Sequence, residues 1–192
     1  MRIYLIRHGQ TDWNVLGKIQ GSTDTSLNKD GILQAKAVSG QMKERFLEIT
    51  RVYSSPQKRA LQTAEIIGET LGCEVIAIDS FQEMNFGKWE GLTWEEVQRD
   101  YAQEYARWHL NRRYSKLPKG ESYQETLERV VKGLQQLTDE ESGDFAVVTH
   151  SAVIRCIQCF VTDTPFEKMR KFRLENTAIV EIDSDKLDKA FR

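Results

Sequence analysis

The chain of 192 residues lacks a charge excess of either sign and has few cysteines. Lys and Arg number 27 against 29 Asp and Glu, which gives a formal net charge of -2. Without a basic surplus there is no counterpart for a phosphate backbone, which argues against nucleic acid as a main partner. Its three cysteines, an odd number, do not suggest a disulfide framework and favour a reducing compartment.

Long apolar runs are also missing. The first apolar run is short: it covers residues 3–6, and Arg7 and His8 end it before a secretion signal would be complete. No later run approaches the roughly 20 apolar residues that a membrane span needs. We therefore predict a cytoplasmic protein with no membrane partner. Its length indicates one domain covering residues 1–192.

Short apolar runs indicate strands, and the segments between them have helical patterns. Residues 3–6 and 145–149 have the pattern of strands buried on both faces, as in a parallel sheet. Shorter candidates are residues 52–53 and 74–78, and residues 177–182 alternate enough for a strand near the sheet's edge. Strands that alternate with helices predict a layered α/β domain.

Capping residues mark the expected helix starts. Asn28 can cap a helix, Ser55 with Pro56 marks another start, and two capping boxes begin at Thr93 and Ser122. The apolar face of the helix after Asn28 is expected to collect Ile32, Ala35, Val38, Met42 and Phe46.

The stretch RHGQTDWN, Arg7 to Asn14, directly follows the first predicted strand. Ligands bind beyond the carboxyl ends of the strands in an open α/β sheet, so Arg7 and His8 stand where a site is expected. Gly9 lets backbone approach a ligand, while Thr11 and Asn14 have polar side chains that can donate to an oxyanion. These neighbours favour an anion site over an isolated structural Arg–His pair.

This stretch resembles the signature of the histidine phosphatases, also called the phosphoglycerate-mutase-like superfamily. The resemblance continues in order over nearly the whole chain, and several ordered blocks are far more specific than one motif. The further blocks are Gln20-Gly21 with Asp24 and Leu27, Ser54-Ser55, Arg59-Ala60, Thr63-Ala64, Glu83, Phe86-Gly87, Trp89-Glu90-Gly91, residues 118–122, and Val148-Thr149-His150. The resemblance implies a three-layer α/β/α sandwich with a mostly parallel central sheet.

The resemblance also implies a role for each matching residue. His8 would be the nucleophile that forms a phosphohistidine, and Glu83 the proton donor. Arg7, Arg59 and His150 would bind the phosphoryl group, with His150 also counted as catalytic. The remaining expected substrate contacts are Asn14, Gln20, Gly21 and Ser151.

Elementary electrostatics adds expectations for these groups. Arg7 and Arg59 should lower the pKa of His8, and partial burial should raise the pKa of Glu83. The helix start after Pro56 should offer free backbone N–H groups to an anion beside Arg59.

No metal or cofactor is expected, because side-chain cations can supply the charge stabilisation that phosphoryl transfer needs. The alternative is a zinc ion held by His8, His150 and a carboxylate. The chain lacks an HExxH pairing and a clustered ligand set, which disfavours zinc. Cys156 and Cys159 lie in a predicted helix and are interpreted as buried structural thiols.

Residues 92–118 mix aromatic and basic side chains in a pattern that indicates a helical segment. The resemblance implies that this segment covers the active site. One hypothesis is that Arg112 or Arg113 contacts a polar or anionic part of the substrate, while an ordinary amphipathic face is equally compatible. Trp89 and Trp94 are expected to serve packing. Arg155 is expected to be a structural ion-pair partner.

The block EMNFGKWEG, residues 83–91, resembles the family's small phosphatases, including the α-ribazole phosphatases, more than its mutases. A mutase must keep its phosphoenzyme dry, whereas a phosphatase needs only to admit water. We therefore predict a metal-independent phosphatase acting on small-molecule phosphomonoesters, either α-ribazole phosphate or a broad range. The alternatives are a cofactor-dependent phosphoglycerate mutase and an inactive module that binds a phosphorylated ligand.

Overall fold

A five-stranded sheet organises the part of the chain that the computed structural model describes, residues 1–45 and 49–188. Its strands are β1 (Arg2–Arg7), β2 (Arg51–Ser54), β3 (Glu74–Ala77), β4 (Phe145–Thr149) and β5 (Ile179–Asp183). Their order is β3-β2-β4-β1-β5, and β5 runs antiparallel to β1 while the other pairs are parallel. The predicted mostly parallel sheet is confirmed, and the strand expected near the sheet's edge, β5, is an edge strand.

Helices cover both faces of this sheet. They are α1 (Asp12–Val15), α2 (Lys29–Arg45), α3 (Lys58–Leu71), α4 (Trp94–Asp100), α5 (Ala102–Leu110), α6 (Tyr123–Glu140), α7 (Ser151–Val161) and α8 (Asp185–Asp188). Side chains of β1 alternate between the faces: Ile3 and Leu5 pack with α6 and α7, while Tyr4 and Ile6 pack with α2 and α3. The three-layer sandwich is therefore confirmed. No described helix is both long and apolar enough to span a bilayer.

The expected cap of α2 is present, but its buried face is shifted. Asn28 Oδ1 accepts from the Gly31 N–H at 2.8 Å. Ile32 is 39% exposed, because Gly31 takes the inward position and brings the helix against the backbone of Gln10. Phe46, expected on the same face, lies outside the described residues.

The start of α3 differs from the prediction. The helix begins at Lys58 and not at Pro56. Ser55 Oγ accepts from Gln57 N at 3.3 Å, before the helix begins, and lies 2.8 Å from Nε2 of His150. Its cap comes from a distant loop: Asp24 Oδ1 accepts from Lys58 N at 2.7 Å, and the Thr25 carbonyl accepts from Arg59 N at 3.1 Å. These two N–H groups are therefore not available to an anion, contrary to expectation.

An aromatic cluster fixes the segment that carries α4 and α5. The Trp94 and Trp108 rings stack with centroids 5.5 Å apart, and Trp89 is fully buried against both. Both predicted capping boxes, at Thr93 and at Ser122, are present and begin α4 and α6. The packing role predicted for Trp89 and Trp94 agrees with these contacts.

Two glycines of α2 give a matched test of close packing. We expect Gly31→Ala to lower the free energy of unfolding by about 1–3 kcal/mol, because the new Cβ would lie 2.1 Å from the Gln10 carbonyl oxygen. Gly40→Ala should raise it by about 0.4–1 kcal/mol, since no atom of the described residues lies within 4 Å of the new Cβ. Urea unfolding of both variants measures the difference, and equal values would contradict the close approach.

Candidate active site

A cavity of about 280 Å³ opens where β1 and β4 end. Eight of the nine predicted site residues line it: Arg7, His8, Asn14, Gln20, Gly21, Arg59, Glu83 and Ser151. The ninth, His150, is fully buried, with its ring centroid 5.2 Å from that of His8. The fold thus brings together residues that are up to 144 positions apart in the chain, from Arg7 to Ser151.

His8 is held as a neutral imidazole with one nitrogen free. Its Nδ1 lies 2.7 Å from the Gly9 carbonyl oxygen, which can only accept, so the proton is on Nδ1 and the lone pair is on Nε2. Burial, then Arg59 and Arg7, hold the pKa of His8 well below its usual value. A neutral ring with a free Nε2 is the form that can act as a nucleophile.

Arg7 and Arg59 are anchored by backbone carbonyls. Arg7 Nη1 donates to the Leu174 oxygen at 2.6 Å, and Arg59 donates to the oxygens of Thr23 and Gly21 at 2.7 and 2.8 Å. In residues 1–45 and 49–188 neither arginine has a carboxylate within salt-bridge distance. Burial lowers the pKa of Arg59 to about 10, so it stays cationic at neutral pH.

Two buried N–H donors at this site, Nε of Arg7 and Nε of Arg59, have no partner among the described residues. The buried Nδ1 of His150 has no hydrogen-bond partner there either. His150 Nε2 bonds Ser55 Oγ at 2.8 Å, and burial, followed by Arg59, holds the pKa of His150 well below its usual value. Unpaired buried donors cost about 1–3 kcal/mol each, so a ligand that accepts from them is strongly favoured.

Glu83 is the one carboxylate that lines the cavity among the described residues. Its oxygens accept from Met84 N at 3.0 Å and from Ala152 N at 3.3 Å. Burial raises the pKa of Glu83, against the opposing effect of Arg59 and of these two N–H groups. The carboxyl group is therefore poised to hold a proton above the usual range of a glutamate.

Two residues that the sequence did not reveal fix the segment carrying Glu83. All five N–H groups of Arg129 are used: Nε and Nη2 bond Glu121, Nη1 bonds the carbonyls of Ser80 and Gln82, and Nη2 also bonds that of Glu83. Gln57 Oε1 accepts from Glu83 N at 2.7 Å, and its Nε2 donates to the Gly21 oxygen. Neither residue stands in a motif that would have marked it.

Some expectations about neighbouring residues are wrong. Thr11 does not line the cavity: its hydroxyl caps α1 and bonds Gln20. Arg112 is buried over the Trp108 ring at 4.3 Å, and Arg113 bonds Gln124 and borders a second cavity of about 510 Å³. Neither arginine reaches the cavity of His8, because the aromatic cluster holds them on its far side.

Two further residues line the active-site cavity unexpectedly. Trp94 contributes to its wall in addition to packing. Arg155, expected in a structural ion pair, has no carboxylate within salt-bridge distance in the described part of the chain and lines the cavity instead. Its position on α7, one turn after Ser151, turns it toward the site.

The two cysteines of α7 are buried, free thiols, as predicted. Cys156 Sγ lies 3.8 Å from the Tyr123 carbonyl oxygen. Burial raises the pKa of Cys156 well above its usual value, and that of Cys159 to about 11.

Comparison with known proteins decides the family. A model described as "Histidine phosphatase superfamily (branch 1)" matches residues 3–191. The chain belongs to this superfamily. It is 34% identical over 163 residues to a protein of Arabidopsis thaliana named metal-independent phosphoserine phosphatase, covering 83% of this chain and 68% of that protein.

Two further relatives extend the comparison. A protein of Shigella boydii named "Probable phosphoglycerate mutase GpmB" is 34% identical over 190 residues, covering 95% of this chain and 85% of that protein. A crystal structure of a phosphoserine phosphatase from Entamoeba histolytica with 3-phosphoglyceric acid is 35% identical and has a TM-score of 0.81, covering 94% of this chain and 89% of that one. The family match and the two relatives named phosphoserine phosphatase indicate a phosphomonoester hydrolase.

The lowered pKa of His8 predicts a pH effect on stability. The unfolded chain binds a proton at His8 below about pH 6.5 while the folded protein does not, so the free energy of unfolding falls as the pH falls. We expect His8→Asn to reduce this slope between about pH 6.5 and 5 by up to about 1.4 kcal/mol per pH unit. Urea unfolding at several pH values measures it. Parallel slopes for the two proteins would contradict a neutral His8. Glu83 changes the free energy of unfolding with pH in the opposite direction, but it is present in both proteins and does not affect the comparison.

Proposed function

We propose that the protein hydrolyses small phosphomonoesters through a phosphohistidine on His8 Nε2. The observation that carries the proposal is the convergence of two unpartnered buried donors, Nε of Arg7 and Nε of Arg59, beside the neutral ring of His8 and the buried ring of His150. Phosphoryl oxygens are acceptors of high charge density that would satisfy these donors. Asn14, Gln20, Gly21 and Ser151 complete the proposed substrate contacts along the same wall.

The proposed reaction has two steps. The Nε2 lone pair of His8 forms the N–P bond while the ester P–O bond breaks, and protonated Glu83 gives its proton to the departing alkoxide. Water then attacks phosphorus, its proton passes to the Glu83 carboxylate, and the N–P bond breaks to release phosphate and restore the imidazole. Arg7 and Arg59 stabilise the charge on the phosphoryl oxygens throughout.

Catalysis in this scheme needs no metal, since the arginines supply the positive charge that metal ions provide in other phosphoryl-transfer enzymes. The domain proposed for this chemistry spans residues 1–192, with residues 92–118 covering the site through Trp94. The three thiols are free, which supports the proposed reducing, cytoplasmic location.

Phosphoserine and α-ribazole phosphate are the substrates that we propose first. Phosphoserine is supported by the two named phosphoserine phosphatases, each 34% identical or more. The relative named as a probable phosphoglycerate mutase makes mutase activity the alternative to phosphatase activity. Incubation with 3-phosphoglycerate and a catalytic amount of 2,3-bisphosphoglycerate distinguishes the two activities, because a phosphatase releases inorganic phosphate and a mutase produces 2-phosphoglycerate.

Trapping the intermediate tests the nucleophile. We expect the wild-type protein, mixed with a radiolabelled phosphate ester and quenched in alkali, to retain label that is stable in base and lost in acid, as a phosphoramidate is. His8→Ala should retain none and should not turn over p-nitrophenyl phosphate. Label or turnover equal to wild type in His8→Ala would contradict the mechanism, and chelator added to the wild type should leave its turnover unchanged.

The leaving group tests the proton donor. We expect Glu83→Gln to lower kcat/KM for an alkyl phosphate by about 10²- to 10⁴-fold, because an alkoxide cannot leave without a proton. For p-nitrophenyl phosphate, whose phenolate leaves without one, the fall in kcat/KM should be much smaller. Equal falls for the two substrates would remove Glu83 from the proton-donor role, and circular dichroism confirms that the variant is folded.

A further inference from the structure

Arg155 is a cation in the active-site cavity that phosphate binding does not explain. It is half-buried, and its Nε donates to the Phe172 carbonyl oxygen at 3.1 Å. Within residues 1–45 and 49–188 its two Nη groups have neither a hydrogen-bond partner nor a carboxylate within salt-bridge distance. A guanidinium anchored through Nε presents this Nη pair in a fixed orientation.

The location of Arg155 relative to Glu83 places it on the leaving-group side of the cavity. A general acid must lie within hydrogen-bond reach of the oxygen it protonates, so Glu83 marks the bridging ester oxygen. The Glu83 carboxylate accepts from Ala152 N at 3.3 Å, which puts the first turn of α7 beside that oxygen. Arg155 follows Ala152 by three residues, on the same helix face and about 4.5 Å further along the axis.

A phosphoryl group alone does not neutralise the positive charge of the cavity. The charged residues that line it are the cations Arg7, Lys18, Arg59 and Arg155 and the carboxylate Glu83. A phosphoryl group contributes two negative charges at most, so positive charge stays in excess even when Glu83 is ionised. A second anionic group on the substrate would restore the balance.

The size of the cavity limits what that group can be. The volume of about 280 Å³ lies at the low end for ligand sites, and Phe86, Trp94 and Tyr123 occupy its wall. A carboxylate on a short carbon chain fits this space better than a second phosphoryl group. The two free Nη groups of a guanidinium also match the two oxygens of a carboxylate.

We propose that Arg155 forms a leaving-group site for the carboxylate of a small phosphorylated hydroxy acid. The inference rests on the proposed phosphatase function and narrows its substrates to esters whose leaving group carries a carboxylate, which favours phosphoserine over α-ribazole phosphate. It makes Arg155 a specificity residue that contacts the part of the substrate that departs, separate from the residues that hold the phosphoryl group.

A matched pair of substrates tests this site. 3-Phosphoglycerate and glycerol 3-phosphate have the same carbon skeleton and differ by a carboxylate in place of a hydroxymethyl group. We expect the wild type to favour 3-phosphoglycerate in kcat/KM, and Arg155→Gln to reduce the ratio of the two values by about tenfold or more. Arg155→Lys, which keeps the charge but not the paired donors, should retain part of the ratio.

Lys18 provides the control, because it lines the same cavity but lies off α7, over the Trp13 ring. Lys18→Gln should change the ratio less than Arg155→Gln does. An equal change would mean that any positive charge in the cavity has this effect, and it would overturn the proposal of a specific site. A wild-type ratio near one, or an unchanged ratio in folded Arg155→Gln, would also overturn it. Turnover of p-nitrophenyl phosphate that depends on His8 shows separately whether the proposed phosphatase function holds.

Discussion

The arrangement depends on keeping two imidazoles neutral next to two buried guanidinium groups. Burial, and after it the nearby charge of Arg59, lowers the pKa of His8 and of His150 and so favours the uncharged form of both rings. If Arg7 and Arg59 were paired with carboxylates, that effect would be cancelled and the cations would no longer attract a phosphoryl group. The fold instead binds both arginines through backbone carbonyls, whose partial charges hold a guanidinium without neutralising it.

On the other side of the site, an arginine that is paired with a carboxylate has a supporting role. Arg129 donates all five of its N–H groups, to three carbonyls and to Glu121. It therefore holds the backbone around Glu83 in place and has no free donor for a substrate. The carboxyl of Glu83 is then held by two backbone N–H groups in a buried position. Hydrogen bonds that exist without a ligand thus hold the groups around Glu83 in place, which is preorganisation in the usual catalytic sense.

The sequence was sufficient for the sheet, the layers and the residues that meet in the cavity, because strand ends and ordered motifs carry that information. It was not sufficient where a distant loop replaces a local interaction. Asp24 caps a helix that Ser55 was expected to cap, and Gly31 displaces Ile32 from a buried face by a backbone contact. The sequence also could not predict the environment of Arg155, because no sequence pattern distinguishes an arginine in an ion pair from one that lines a cavity.

The proposed use of imidazole, and not of sulfur, for phosphoryl transfer has a consequence for redox chemistry. Peroxide and other oxidants attack thiolates, and the fraction of thiolate falls as the thiol pKa rises. Burial raises the pKa of Cys73, Cys156 and Cys159, and none of the three lines the cavity of His8. Turnover by this protein should therefore persist in oxidative stress that would silence a phosphatase dependent on a cysteine nucleophile.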